Sequence, residues 1–195
     1  MSEASCRKFR ELYNVSTLRQ LASLPPPGLQ GAIIKVLSND RQRQEFTKVF
    51  SALPRLRNVT VSVKRRRTDG SSDVIPHSST GELEFSAKAK EDLEVEVVAV
   101  KESTTSGDSR VYCPRYHKSK TLSWWLVLGC TDGELVAFKK IGGLGKQTSR
   151  HSLLFSAPDE SRNESSTGFI VFLIADSVYG IEVFERFTIR ISSDC

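Results

Sequence analysis

The spacing of apolar residues changes along the chain, from a helical period in the first fifty residues to alternation afterwards. Leu18, Leu21 and Leu24 follow Ser16 at helical spacing, which predicts a short helix with Ser16 as its N-cap. Pro25–Pro27 are expected to end it. The same period predicts three further helices, at Cys6–Tyr13, at Leu29–Leu37 and from Asp40, as N-cap, to Leu53. Residues 1–54 are therefore predicted to form a small helical bundle, which we expect to be the tail of a larger helical domain.

After Pro54 the apolar positions alternate, which predicts β-strands over residues 55–195. The expected strands begin at Leu56 and continue at Leu83–Lys88, Leu93–Val100, Leu122–Gly129, Leu135–Ile141, Ser149–Ser156, Gly168–Ala175 and Phe184–Ile191. Two polar segments, Thr68–Thr80 and Ser103–Ser109, have too few apolar residues to pack and are predicted to be surface loops. No helical period interrupts the strands, so we expect antiparallel pairing throughout.

The most apolar run, LSWWLVLGCTDG at Leu122–Gly133, predicts a central buried strand. Its Asp132-Gly133 pair predicts a hairpin into the next strand. Adjacent side chains of a strand point to opposite faces, so one of Trp124 and Trp125 should lie in the core and the other on an outer face. A buried Trp in a central strand is typical of an immunoglobulin-like fold. The predicted fold is a mainly β chain, an immunoglobulin-like antiparallel β-sandwich preceded by the helical bundle.

Charge also divides the chain, at the end of the first predicted strand. The net charge is +5, but the first 67 residues contain fourteen Lys and Arg against four Asp and Glu, and the remainder is net negative. Six cations form a candidate RNA-contacting set that would bind phosphates without sequence specificity: Arg55, Arg57, Lys64, Arg65, Arg66 and Arg67. The alternative for this run is a solvated strand end.

Motifs for catalysis, cofactors and metals are weak. The glycine-rich Gly142–Thr148 lacks the spacing of a phosphate-binding loop. Cys113, His117 and His151 provide only half of a metal site. Asp176 and Glu182, on either side of a glycine, are typical of a turn. We expect no enzyme activity, no cofactor and reduced cysteines. With no membrane-spanning run and no signal peptide, we also expect no membrane association.

Three segments carry a resemblance to a known family: LSWWLVLGCTDGELVAFKKIG at Leu122–Gly142, LLFSAPDE at Leu153–Glu160 and FIVFLIADSVYGIEVFERFTIRI at Phe169–Ile191. They resemble the C-terminal part of a Sec-sixty-three homology unit, which closes the helicase cassettes of large spliceosomal-type DExH RNA helicases. Asp176, Gly180 and Glu182 match the family's last strand connection. Ala175, Val178 and Val183 depart from it, which suggests a divergent member.

The resemblance implies a small helical domain followed by an immunoglobulin- or fibronectin type III-like domain that acts as a non-catalytic docking and regulatory surface. Expected partners are protein subunits of a ribonucleoprotein complex and the parent helicase cassette, in the nucleus or alternatively the cytoplasm. The candidate docking residues are aromatic: Tyr116, Trp124, Trp125 and Tyr179. Three alternatives remain open: nonspecific RNA contact, the equivalent domain of a coactivator or repair helicase, and a segment of a protein-translocation factor.

Overall fold

The computed structural model of the chain describes residues 3–51, 56–76, 83–101, 110–111, 118, 120–144, 147–159 and 166–192. The chain is mainly β, with four helices at its front end within these ranges. The helices are α1 (Glu3–Tyr13), α2 (Leu18–Ala22), α3 (Pro26–Val36) and α4 (Asp40–Ser51). The first strands are β1 (Leu56–Arg66), β2 (Ser72–Val74), β3 (Glu84–Ala87), β4 (Asp92–Lys101), β5 (Arg110–Val111) and β6 (Lys120–Thr121). The remaining ones are β7 (Trp124–Cys130), β8 (Leu135–Gly142), β9 (Thr148–Ser156), β10 (Ser166–Ala175) and β11 (Val183–Ile191).

Two sheets face each other across one core. The four-stranded sheet has the order β2-β1-β4-β9, and the five-stranded sheet has the order β3-β11-β10-β7-β8. Their inward side chains form a single apolar cluster, in which Phe155 of the first sheet contacts Phe169 and Phe187 of the second at 5.4 and 6.3 Å between ring centres. Burial alternates residue by residue along β4 and β7, as expected for strands with one buried face.

The eight predicted strands are all present, but one strand lies in a predicted loop, the short strands β5 and β6 were not expected, and one pairing is not antiparallel. Within the segment Thr68–Thr80, predicted to be a loop, Ser72–Val74 pairs with the end of β1 and Ile75 is buried. A short polar edge strand carries no alternation signal, which explains the error. The pairing of β3 with β11 is parallel. The chain between these two strands is long and includes β4 and β9 of the opposite sheet. Those strands make the crossover that a helix would otherwise provide.

The helices enclose a second apolar cluster and are joined to the sheets through α2. The N-cap of α2 is Thr17, whose hydroxyl accepts a hydrogen bond from the Gln20 backbone while the Gln20 side chain accepts from Thr17. This capping box corrects the expectation of Ser16 as the cap. The proline run starts α3 at Pro26 as well as following α2, because proline suits the first turn of a helix.

The β10–β11 connection holds α2 against the sheets. The Arg19 N–H donates to the Gly180 carbonyl at 2.8 Å, and Gly180 has φ +88°. A Cβ at Gly180 would lie 3.1 Å from the backbone nitrogen of Leu18, so only glycine fits without a shift. Leu18 packs against both apolar clusters. The helical front end and the sheets are thus joined at one glycine turn.

Among the residues that the structure describes, no helix is both long and apolar enough to cross a lipid bilayer.

Candidate functional site

The two tryptophans of β7 point in opposite directions. Trp124 is 1% exposed and lies between the sheets, whereas Trp125 lies half-buried on the outer face of the five-stranded sheet. The predicted division of the pair is confirmed. Trp124 cannot reach a partner from the core, so its inclusion among the docking residues is wrong, and Trp125 keeps that candidate role.

A row of apolar side chains crosses the outer face of the five-stranded sheet. Strand register places Phe184, Phe172, Val127 and Phe138 side by side on β11, β10, β7 and β8. The Phe172 and Phe184 rings lie 5.9 Å apart, within the range of an aromatic pair. Phe138 is 60% exposed and Phe184 is 49% exposed. Outer sheet faces usually carry polar residues, so this row is unusual.

A second row lies next to the first. Ile174 on β10 is opposite Trp125 on β7, which in turn is opposite Lys140 on β8. The Trp125 ring lies 6.0 Å from the Phe138 ring, and the Lys140 ammonium lies 5.7 Å from the Trp125 ring centre. We call the six apolar residues of the two rows the aromatic face: Trp125, Val127, Phe138, Phe172, Ile174 and Phe184.

The aromatic face continues into a shallow groove at the β10–β11 connection. The groove is lined by Phe172 and Ile174 of the face together with Val178 and Tyr179 of the connection. Tyr179 is 88% exposed. Ile174 therefore links the two candidate docking residues Trp125 and Tyr179, because it lies opposite the first and shares the groove with the second.

Two carboxylates, Asp176 and Glu182, fix the conformation of the β10–β11 connection that lines the groove. The Asp176 carboxylate accepts hydrogen bonds from the Ser123 N–H at 3.1 Å and the Ser177 hydroxyl at 2.6 Å. Burial raises the pKa of Asp176, but these hydrogen bonds and the charges of Lys120 and Lys140 outweigh it and leave the pKa below its ordinary value. Glu182 accepts from the Gly180 N–H at 2.6 Å. Both acids have the turn role that the sequence predicts.

The described cations of the predicted RNA-contacting set face carboxylates of the protein itself. Lys64 lies 2.9 Å from Glu96, Arg65 pairs with Glu91, and Arg67 pairs with Asp73. Glu94, outward on β4, has its pKa lowered by a Ser152 hydrogen bond and, more weakly, by Lys64 and Arg66. Positive charge at this strand end is therefore largely compensated.

Several candidate residues lie outside the described residues. Tyr116 of the docking set and Arg55 of the basic set are among them, as are Cys113 and His117 of the proposed half metal site. The Arg57 side chain is outside them too. His151, the remaining member, lies on β9, the last strand of the four-stranded sheet, and burial lowers its pKa, with a further contribution from Lys139.

One trio of possible metal ligands was missed by sequence reasoning. The ligand atoms of Cys130, Asp132 and Glu134 lie within 4.8 Å of one another at the β7–β8 turn. The same residues build that turn: Asp132 accepts from the Glu134 N–H at 3.1 Å, and the Cys130 N–H donates to the Glu134 carbonyl at 2.8 Å. Turn formation accounts for their proximity.

No protein-family model matches this chain, and no curated protein matches its sequence.

Sequence reasoning found Trp125 and Tyr179 but missed Phe138, Phe172 and Phe184. These three lie on separate strands, and only strand register brings them into one row. A signal was present in β10, where Phe172 and Ile174 occupy the positions that alternate with the buried Val171 and Leu173. A strand that is apolar on both faces indicates that its outer face is covered by another part of the protein or binds a partner.

Proposed function

We propose that this chain is a non-catalytic protein-docking module and that the aromatic face is its docking surface. The single observation that carries the proposal is the row of Phe184, Phe172, Val127 and Phe138 across four strands, with its two end rings exposed to solvent. Aromatic anchors on a rigid sheet lose little conformational entropy on binding and are typical of interface hot spots.

The proposed fold class is an immunoglobulin-like or fibronectin type III-like sandwich. In such folds strands A, B and E share one sheet, and strands C, F and G share the other. Here β1, β4 and β9 are neighbours in one sheet and correspond to strands A, B and E. In the other sheet β7, β10 and β11 are neighbours and correspond to strands C, F and G. Trp124, at the start of β7, has the position of the buried tryptophan on strand C. These features support the proposal.

The proposed setting is the C-terminal end of a large spliceosomal RNA helicase, in the nucleus, with other protein subunits of the ribonucleoprotein complex as partners. The support is the resemblance of Leu122–Gly142, Leu153–Glu160 and Phe169–Ile191 to a Sec-sixty-three homology unit. The β7–β8 hairpin and the β10–β11 pair are the parts of the fold that these segments build. Any ATPase activity would belong to the parent helicase.

The test is identification of the proteins bound by the tagged chain in nuclear extract by quantitative mass spectrometry. Phe184→Ser should reduce the recovery of splicing proteins about tenfold or more, because it removes one exposed anchor. Leu154→Ser is the matched control, since Leu154 is 52% exposed on the outer face of the other sheet. Recovery that is unchanged by Phe184→Ser, or that contains no splicing proteins, would contradict the proposal.

A further inference from the structure

The aromatic face has a cation at each of two opposite corners. Lys140 on β8 lies one row beyond Phe138, over Trp125. Arg186 on β11 lies one row beyond Phe184 in the other direction, with its guanidinium 6.0 Å from the Phe184 ring centre. Three strand spacings and four residues of strand length separate the two positions, a diagonal of about 20 Å.

Both cations can still pair with a carboxylate of a bound partner. In the described part of the chain, the Arg186 guanidinium contacts the Phe184 ring and pairs with no carboxylate. Lys140 lies 3.8 Å from the Asp176 carboxylate, too far for a strong hydrogen bond, and its side chain is half exposed. Among the described outward positions of this sheet, the one carboxylate is Glu84, which pairs with Arg190 at 2.9 Å.

We infer that the aromatic face binds a peptide segment whose apolar side chains are flanked by carboxylates, one pairing with Lys140 and the other with Arg186. This inference rests on the proposed docking function. The charge pattern carries it, since an apolar surface with cations at opposite corners is complementary to an apolar segment with acidic ends. Carboxylates spaced about 20 Å apart correspond to about six residues of extended chain or thirteen of helix.

A second copy of this chain fits the face less well. A two-fold contact between identical faces would bring Lys140 and Arg186 of each copy against carboxylates that are already engaged within the protein: Glu84 by Arg190, Asp176 by Ser123 and Ser177, and Glu182 by Gly180. Like charges would then meet, which opposes association.

Single-stranded RNA also fits less well. Stacking of successive bases needs consecutive rings and a cationic track for the phosphates. Val127 and Ile174 interrupt the rings, and two cations about 20 Å apart do not form such a track.

The test is binding of a peptide array, in which a fixed apolar core is flanked on each side by Glu, Gln or Lys, to the wild-type chain and four variants. The variants are Lys140→Gln, Arg186→Glu, Phe138→Ser and the control Arg150→Glu, whose charge change lies on the outer face of the other sheet. Circular dichroism and thermal unfolding would verify that each variant is folded.

The wild type and Arg150→Glu should bind Glu-flanked peptides about tenfold more tightly than Lys-flanked ones. Arg186→Glu should reverse the preference at one flank, Lys140→Gln should weaken it at the other, and Phe138→Ser should bind neither class.

Binding that depends on Phe138 but not on the flanking residues would overturn the charge inference and leave the docking function in place. Absence of peptide binding would also overturn the inference, while the recovery of splicing proteins from extract separately decides the docking function. Tighter binding of an oligouridine strand, lost in Arg186→Glu, would assign the face to RNA and overturn the inference.

Discussion

At the scale of single residues, two adjacent tryptophans have different roles because a strand alternates its faces. Trp124 fills the core between the sheets, and Trp125 rests on the outer surface beside Phe138 and under Lys140. The same side chain stands at both positions, so we expect the difference in their contributions to stability to follow from burial and from their neighbours. Substitution of Trp124 is therefore expected to affect stability, and substitution of Trp125 is expected to affect binding.

Trp124→Ala should lower the free energy of unfolding by about 3–5 kcal/mol, because it removes a large, fully buried side chain. Trp125→Ala should lower it by about 1 kcal/mol, since it loses mainly the contact with Phe138. Urea denaturation of both variants measures the difference. Equal losses would contradict the assignment of Trp124 to the core.

Gly180 is expected to contribute strongly to stability although it has no side chain. Gly180→Ala should destabilise by about 1–2 kcal/mol through backbone strain and by about 1 kcal/mol more through the contact with Leu18. Gly70→Ala is the matched control, since Gly70 has φ +84° and open space around its Cα. Amide exchange at Arg19 should rise in the Gly180 variant alone. Equal losses of stability in the Gly180 and Gly70 variants would contradict the conclusion that Gly180 joins the helices to the sheets.

At the scale of elements, the strands and one connection, the β7–β8 hairpin, could be predicted from the sequence. Asp132-Gly133 predicts the β7–β8 hairpin, and Gly133 has φ +96° there. What could not be predicted was pairing between distant segments: β3 alongside β11, and β2 within a polar stretch. Local composition determines whether a segment is a strand, but the position of its neighbour depends on the whole fold.

The β10–β11 connection should make stability sensitive to acid. The Asp176 carboxyl has its pKa lowered below 3.8, so the stabilisation it gives is present at neutral pH and is lost as pH falls through the lowered value. Asp176→Asn should therefore be less stable than wild type at pH 7, and the difference should shrink below about pH 4. Urea midpoints measured from pH 2.5 to 7 test this. A difference that is constant with pH would contradict the assigned role.

The basic end of β1 should contribute little to RNA binding. Lys64, Arg65 and Arg67 each face a carboxylate of the protein, so few counterions would be released when they meet phosphate. A variant with serine at positions 64–67 should bind a single-stranded RNA about as well as wild type, as measured by filter binding at several salt concentrations. Loss of a steeply salt-dependent affinity in this variant would favour the RNA alternative.

At the scale of the whole molecule, the outer faces of the two sheets differ in character. On the four-stranded sheet, charged and hydroxyl side chains are interspersed, with Lys64 paired to Glu96 and Glu94 accepting a hydrogen bond from Ser72. On the five-stranded sheet, the aromatic face meets solvent with Lys140 and Arg186 at opposite corners, and Lys140 lies 3.8 Å from the Asp176 carboxylate. Trp125 and Tyr179 could be anticipated from sequence, but the surface as a whole depends on the register of four strands.

The most direct test of docking through the aromatic face is site-specific photocross-linking in nuclear extract. A photoreactive phenylalanine analogue would be placed at Phe138, and in a separate protein at Leu154, which is similarly exposed on the opposite sheet. Docking through the aromatic face predicts a cross-link to a splicing protein from position 138 and none from position 154. Cross-links from position 154 alone would contradict it.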